Sequence, residues 1–111
     1  MKKISIVIPV FNEAENIPRL IERITAVAGQ NGFSYEIIAV DDGSTDETAK
    51  ALKQAAGRNK DLKVISFSRN YGQTAALSAG ISSATGDIIV PIDADLENDP
   101  ADIPLLLEKL N

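Results

Sequence analysis

The sequence contains no cysteine and no histidine among its 111 residues. The lack of cysteine excludes a disulfide framework and a thiolate metal site. The lack of histidine excludes an imidazole general base and histidine-ligated zinc. Any chemistry must therefore use carboxylates, amides, hydroxyls and a bound metal ion.

Basic clusters and long apolar runs are missing as well. The formal net charge is −5, which argues against nucleic acid or an anionic membrane as the main partner of this segment. No apolar run approaches the roughly 20 residues that span a bilayer. The apolar stretch near the amino terminus is short and ends at Pro9, so it is not a signal peptide. We expect a soluble segment.

The composition that remains is that of one globular domain. Hydrophobic residues make up 44% of the chain and charged residues 24%, which is typical of a folded protein rather than a disordered one. The length allows a single domain with a hydrophobic core.

Four apolar runs rich in β-branched residues predict buried strands, at residues 4–10, 35–40, 63–67 and 87–92. Because proline cannot donate to a sheet ladder, Pro9 is expected to mark the end of regular pairing in the first strand. The unbroken run of Ile88, Ile89 and Val90 predicts a strand that is buried on both faces.

Helical spacing separates these strands. Ile17, Leu20, Ile21, Ile24 and Ala28 predict a first helix, with Pro18 in its first turn. A second helix is predicted through Ala49, Leu52 and Ala56, with Ser44 or Asp46 as its N-cap. A third should place Leu77, Gly80, Ile81 and Ala84 on one face, and a fourth should begin near residue 103.

The alternation of strands and helices predicts an α/β fold, a parallel sheet with helices on both faces. A four-stranded parallel sheet leaves an edge that nothing in the sequence covers. The chain also stops at residue 111, where the fourth predicted helix is incomplete. We therefore expect residues 1–111 to be the amino-terminal part of a longer protein.

Polar clusters follow all four predicted strands, at residues 12–13, 41–42, 69–70 and 93–95. Ligands of open α/β sheets bind beyond the carboxyl ends of the strands, where the strand order reverses. Each cluster also has a purely structural explanation: a helix start, a turn with a helix cap, a glycine-containing turn, and a solvated acidic loop. Four such clusters at one edge favour a binding site.

The carboxylates after the fourth strand are candidate metal ligands. On an extended backbone, Asp93, Asp95 and Glu97 point to one side and can converge. Mg²⁺ and Mn²⁺ prefer such oxygen ligands and are completed by substrate phosphate oxygens. The sequence has no Gly-x-Gly-x-x-Gly after its first strand and no P-loop. Nucleotide phosphates would therefore have to be neutralised by a metal at this acidic group.

Residues 7–13, 41–46, 69–72 and 86–96 together resemble the family 2 glycosyltransferases, which have a GT-A fold, a Rossmann-like parallel sheet. The likeness is greatest to the branch that loads sugars onto dolichol or undecaprenyl phosphate, and it covers essentially the whole chain. It implies that residues 1–111 are the nucleotide-sugar-binding part and that the acceptor-binding part is absent.

The resemblance implies roles for individual residues. Asp95, with Glu97 nearby, would ligate Mg²⁺ or Mn²⁺, and Asp93 and Asp95 would be the catalytic acids. Close relatives usually have glutamine at the position of Glu97, which leaves the role of this carboxylate open. The residues that would contact the base, ribose or diphosphate are Pro9, Phe11, Glu13, Asp42, Gly72 and Asp93.

The implied activity is transfer of a sugar, with inversion, from a UDP- or GDP-sugar to a polyprenyl phosphate in cell-envelope glycan synthesis. A phosphate acceptor is largely ionised at pH 7 and needs little help from a general base. The resemblance also implies a cytoplasmic location at the membrane face, with membrane contact only through segments after residue 111. We expect this chain alone to have little or no transferase activity.

Two alternatives stay open at this point. A binding-only module would recognise nucleotide without transferring sugar. A receiver-type signalling domain is also a small parallel α/β protein with acids at its strand ends. Receivers, however, place the acid pair after the first strand, whereas Asp41 and Asp42 follow the second. The sequence does not identify the sugar, the base or the oligomeric state.

Overall fold

The structure is a computed structural model, and it describes residues 2–94. Strands and helices alternate along the chain, in the order β1 (Lys3–Val10), α1 (Ile17–Gln30), β2 (Ser34–Asp41), α2 (Thr48–Arg58), β3 (Leu62–Ser66), α3 (Gln73–Ser83) and β4 (Ile88–Pro91). The predicted fourth helix and the predicted metal ligands Asp95 and Glu97 lie outside the described residues.

The four strands form one parallel sheet in the order β3-β2-β1-β4. The chain moves from β1 outward to β3 and then returns past β1 to β4, so the strand order reverses between β1 and β4. This reversal is the switch point at which ligands of open α/β sheets bind.

The hydrophobic core has two layers, one on each face of the sheet. The larger layer joins alternate residues of β1 to the apolar stripes of α1 and α2, including Ile6, Ile8, Leu20, Ile24 and Leu52. The smaller layer lies under α3 and contains Ile38, Val40 and Ala76. The predicted α/β sheet with helices on both faces is therefore confirmed.

The sheet differs from the sequence-based prediction at Pro9 and at Ile89. Pairing continues past Pro9, since Pro9 pairs with Val40 and Val10 pairs with Asp41. The carbonyl of Val10 also accepts the N–H of Asp42 at 2.8 Å, because proline removes a donor but leaves the acceptors of the ladder. In β4, Val90 is buried, but Ile89 is 39% exposed, because α3 packs on β1 and β2.

Two helices also differ in detail from the prediction. Ile81 is 43% exposed, and α3 instead buries Ala76 and Gly80 against the sheet. A Cβ on Gly80 would overlap the side chain of Val7, so this helix packs close to the sheet through small residues. The residue before α2 is Glu47 rather than Ser44 or Asp46, although the Asp46 carboxylate accepts the N–H of Thr48 at 2.9 Å.

A buried carboxylate ties the strands together at the end of the sheet opposite the switch point. Glu36 is 3% exposed and accepts hydrogen bonds from the Ser5 hydroxyl at 2.6 Å and the Thr85 N–H at 2.7 Å. The Lys63 ammonium donates to it at 2.9 Å. Glu36 therefore joins β1, β2, β3 and the segment before β4.

Candidate functional site

A cleft of about 370 Å³ opens at the carboxyl ends of the strands, where the strand order reverses. Its walls come from segments that are far apart in the sequence and that the parallel sheet brings together. The described lining residues are Pro9, Val10, Phe11, Glu13, Asp42, Gln73, Asp93 and Ala94. Three of the four predicted polar clusters thus contribute to one cavity.

The end of β1 supplies the wall that combines apolar and acidic groups. Phe11 is 43% exposed, which leaves its ring accessible from the cleft. Glu13 is half-buried, and its carboxylate accepts a hydrogen bond from the Asn16 side chain at 2.7 Å. The aromatic face can stack on a planar ring, and the carboxylate can accept hydrogen bonds from the polar hydrogens of that ring.

Asp41 and Asp42 follow β2 and have different partners. Asp41 accepts the N–H of Ser44 at 3.0 Å, which is the turn predicted as the structural explanation of this cluster. Asp42 is 3% exposed and lines the cleft. Its carboxylate accepts the N–H of Tyr71 at 2.7 Å and the N–H of Gly72 at 3.1 Å. Asp42 therefore fixes the loop after β3 beside the cleft.

Gly43 allows the loops after β2 and β3 to meet backbone to backbone. Its φ is +69°, and a Cβ at this position would overlap the backbone of Arg69 and Asn70. Only glycine combines this conformation with so close an approach.

The loop after β3 carries a stacked group of side chains. The Arg69 guanidinium lies 4.7 Å from the centre of the Tyr71 ring, and Phe67 meets that ring edge to face at 5.6 Å. Gly72 has a φ of +104° and is not among the residues that line the cleft. Its N–H instead donates to Asp42, so Gly72 shapes the loop from outside the cavity wall.

The end of β4 brings Asp93 to the cleft as a half-buried carboxylate. The Gln73 side-chain amide, at the start of α3, faces Asp93 Oδ1 at 3.5 Å, which is a weak hydrogen bond. The sequence-based prediction missed Gln73; its position directly after Gly72 was the available signal. Within residues 2–94, no three acidic side chains converge on one point.

The donor chemistry at this end of the cleft suits a hard cation. The Asp42 carboxylate is occupied by backbone N–H groups, whereas the one hydrogen bond that Asp93 accepts within residues 2–94 is the weak contact from Gln73. Carboxylate oxygens of this kind are ligands for Mg²⁺ and Mn²⁺ rather than for softer metals.

A parallel α/β sheet with a cleft at its switch point is the arrangement in which open α/β proteins bind ligands. Residues 5–111 match the family described as glycosyl transferase family 2, and the chain belongs to that family. The resemblance to the family 2 glycosyltransferases drawn from the sequence is thereby confirmed.

Solved structures of sugar-transfer enzymes share the fold. A glucosyl-3-phosphoglycerate synthase from Mycobacterium tuberculosis, in complex with Mn²⁺, UDP and glucosyl-3-phosphoglycerate, is 31% identical with a TM-score of 0.77. A mannosyltransferase from Pyrobaculum calidifontis, in complex with GDP-Man and Mn²⁺, is 29% identical with a TM-score of 0.76. A mannosyl-3-phosphoglycerate synthase from Rubrobacter xylanophilus is 25% identical with a TM-score of 0.73. These similarities confirm the GT-A type of sheet.

The similarity covers most of this chain but a minor part of each solved structure. The matches extend over 98%, 85% and 87% of the chain, and over 39%, 28% and 32% of the respective solved proteins. The chain therefore spans less than half the length of these relatives. Among the described helices, none has the length and apolar character needed to cross a membrane.

Proposed function

We propose that this chain is the nucleotide-sugar-binding part of a glycosyltransferase and that the cleft holds the nucleotide of a UDP- or GDP-sugar. One observation carries the proposal. Five residues that the resemblance assigns to nucleotide binding come from three segments of the chain and line one cavity: Pro9, Phe11, Glu13, Asp42 and Asp93. Two similar solved proteins contain UDP or GDP-Man with Mn²⁺, which supports the same class of ligand here.

The wall from β1 and β2 would hold the nucleoside. The exposed ring of Phe11 offers a face to the base, and stacking of this kind is tolerant of base identity. The Glu13 and Asp42 carboxylates would accept hydrogen bonds from the base or the ribose hydroxyls. Asp42 already accepts backbone N–H groups, so its geometry is set before the nucleotide binds.

The wall from β4 would hold the diphosphate through Mg²⁺ or Mn²⁺. Asp93 lines the cleft with carboxylate oxygens, which such cations prefer, and Asp95 and Glu97 are proposed as further ligands from the sequence alone. A cation bound there supplies positive charge that stabilises the diphosphate leaving group. The chain has a formal net charge of −5, so a diphosphate needs this compensation to bind among carboxylates.

The reaction we propose is a displacement at the anomeric carbon with inversion. The acceptor attacks the face opposite the diphosphate, the bond to the diphosphate oxygen breaks, and that oxygen keeps the electron pair. This chain's own residues bind and orient the donor. A polyprenyl phosphate is the proposed acceptor, because an ionised phosphate oxygen attacks without a general base and the sequence has no histidine.

A small phosphorylated acceptor is the second candidate. Two of the similar solved proteins are phosphoglycerate synthases, and one of them contains glucosyl-3-phosphoglycerate. The two candidates are separated by turnover of a protein that carries this chain together with its acceptor-binding part. Nucleotide release that depends on polyprenyl phosphate supports the first, and release that depends on 3-phosphoglycerate supports the second. The first also implies work at the cytoplasmic face of a membrane.

Thermal unfolding with nucleotide tests the binding proposal directly. A ligand at a hundredfold excess over its Kd stabilises the native state by about 2.7 kcal/mol. We expect UDP or GDP to raise the melting temperature in the presence of Mn²⁺ and to lose this effect in EDTA. Phe11→Ala should reduce the shift, whereas Ile81→Ala, an exposed apolar residue that does not line the cleft, should not. A receiver-type domain would show no shift with either nucleotide.

A further inference from the structure

Asn12 has an unusual backbone conformation at the edge of the cleft. Its φ is +52°, and it is the one non-glycine residue with positive φ in the part of the chain that the structure describes. Asparagine tolerates this left-handed region better than most residues, but the conformation is still uncommon. Asn12 lies in the loop between β1 and α1, and its positive φ changes the direction of the chain there.

In this conformation the Asn12 side chain contacts the loop between β2 and α2. Its Oδ1 accepts the N–H of Thr45 at 2.8 Å and the N–H of Asp46 at 3.3 Å. The N–H of Asn12 donates to the Ser44 hydroxyl at 2.9 Å. The Thr45 hydroxyl also donates to this Oδ1, at 3.4 Å. One residue thus makes four hydrogen bonds to a segment more than thirty positions away.

The neighbours of Asn12 on both sides line the cleft, whereas Asn12 does not. Phe11 precedes it, and Glu13 follows it. The N–H of Glu13 donates to the Thr48 hydroxyl at 2.9 Å, and that hydroxyl in turn donates to the Asp46 carboxylate and lowers the pKa of Asp46 below its usual range. The wall of the cleft is therefore held by hydrogen bonds made by residues that do not line it.

We infer that Asn12 is a positioning residue for the nucleotide: its side-chain amide holds Phe11 and Glu13 at the cleft wall by fixing their loop to residues 44–46. The inference rests on the proposed function of the cleft. Two properties are required at this position, tolerance of positive φ and a side-chain acceptor for two backbone N–H groups. Glycine supplies the first property alone, and aspartate supplies both with an added charge.

The test compares four proteins: the wild type, Asn12→Gly, Asn12→Asp and the control Asn59→Ala. Asn59 donates its side-chain amide to the carbonyl of Ala55 at 2.9 Å, far from the cleft, so its loss is a matched hydrogen-bond deletion. Nucleotide affinity is measured by calorimetry with UDP and GDP in Mn²⁺. All titrations use high ionic strength, so that the charge of the aspartate variant is screened.

We expect Asn12→Gly to weaken nucleotide binding about tenfold, with Asn12→Asp and Asn59→Ala close to the wild type. Amide hydrogen exchange at Thr45 and Asp46 should accelerate in Asn12→Gly and stay slow in the other proteins. An Asn12→Gly protein that loses thermal stability but binds nucleotide as well as the wild type would overturn the inference. If the wild type itself binds neither nucleotide, the proposed function fails and the positioning role fails with it.

Discussion

Asp41 and Asp42 are adjacent in the sequence but bind different parts of the chain. Asp41 closes its own turn through Ser44, a local contact that the sequence pattern predicts. Asp42 binds backbone N–H groups near residue 71 and lines the cleft. At the scale of single residues, the same side-chain type thus has a local structural role at one position and a place in the candidate site at the next.

Glu36 is a buried carboxylate whose charge contributes to folding stability. Burial alone would raise its pKa, but hydrogen bonds from Ser5, Thr85 and Lys63 outweigh burial and lower the pKa from 4.5 to about 2. A carboxyl group with a lowered folded-state pKa stabilises the protein above its unfolded-state pKa, and the stabilisation is lost as the pH falls toward the folded-state pKa.

We therefore predict that Glu36→Gln destabilises the protein by about 3 kcal/mol at pH 7, which is the free-energy equivalent of this pKa shift. The difference between the variant and the wild type should shrink as the pH falls from about 4.5 to about 2. Urea unfolding of both proteins at several pH values measures it. Glu22→Gln on the exposed face of α1 is the control. A difference that is the same at pH 7 and pH 2 would contradict the assigned cause.

Some residue roles could not be predicted because they depend on contacts distant in the sequence. The positive φ of Asn12, the contact of Gln73 with Asp93 and the two N–H groups bound by Asp42 are such cases. Glu13 and Asp93 were predicted from the residues themselves, because each belongs to a polar cluster that follows a buried strand, which fixes the edge of the sheet at which they lie. Phe11 was predicted only from the resemblance to the family.

At the scale of elements, the buried strands were the best predicted part of the fold. The ends of β1, β2 and β3 lie within one residue of the predicted runs, because unbroken β-branched stretches are specific for buried parallel strands. Ile81 and Ile89 were predicted to be buried, and this prediction was wrong. Their burial depends on where α3 lies over the sheet. The hydrophobic periodicity of the sequence does not determine where a helix packs.

The packing of α3 gives a prediction at this scale. Gly80→Ala should cost about 1–3 kcal/mol, because the added methyl group overlaps the Val7 side chain. In a Val7→Ala background the same change should cost little, so a double-mutant cycle should show a favourable coupling between the two substitutions. Denaturant unfolding of the four proteins measures it.

The control is Gly57→Ala in α2, where nothing lies within 4 Å of the added Cβ. That change should stabilise the protein by up to about 1 kcal/mol through helix propensity. Equal costs at Gly80 with and without the Val7 side chain would show that α3 does not approach the sheet as described.

At the scale of the whole molecule, the strand order explains why one cleft collects the acidic clusters. The chain returns past β1 to form β4, so the ends of β1, β2 and β4 surround one cavity. The alternating sequence pattern predicted the parallel sheet, and the polar strand ends predicted the edge that carries the cleft. The order β3-β2-β1-β4 itself could not be predicted, because it depends on tertiary packing and not on local sequence patterns.

The central claim is that the cleft binds the nucleotide of a sugar donor through a divalent cation. Calorimetric titration of UDP and then GDP, with and without Mn²⁺, tests it most directly when repeated on Asp95→Ala. We predict saturable binding of one nucleotide that requires Mn²⁺ and is lost in the variant. A folded wild-type protein that binds neither nucleotide would contradict the claim, and metal-independent binding would keep the nucleotide cleft but remove Asp95 from its proposed role.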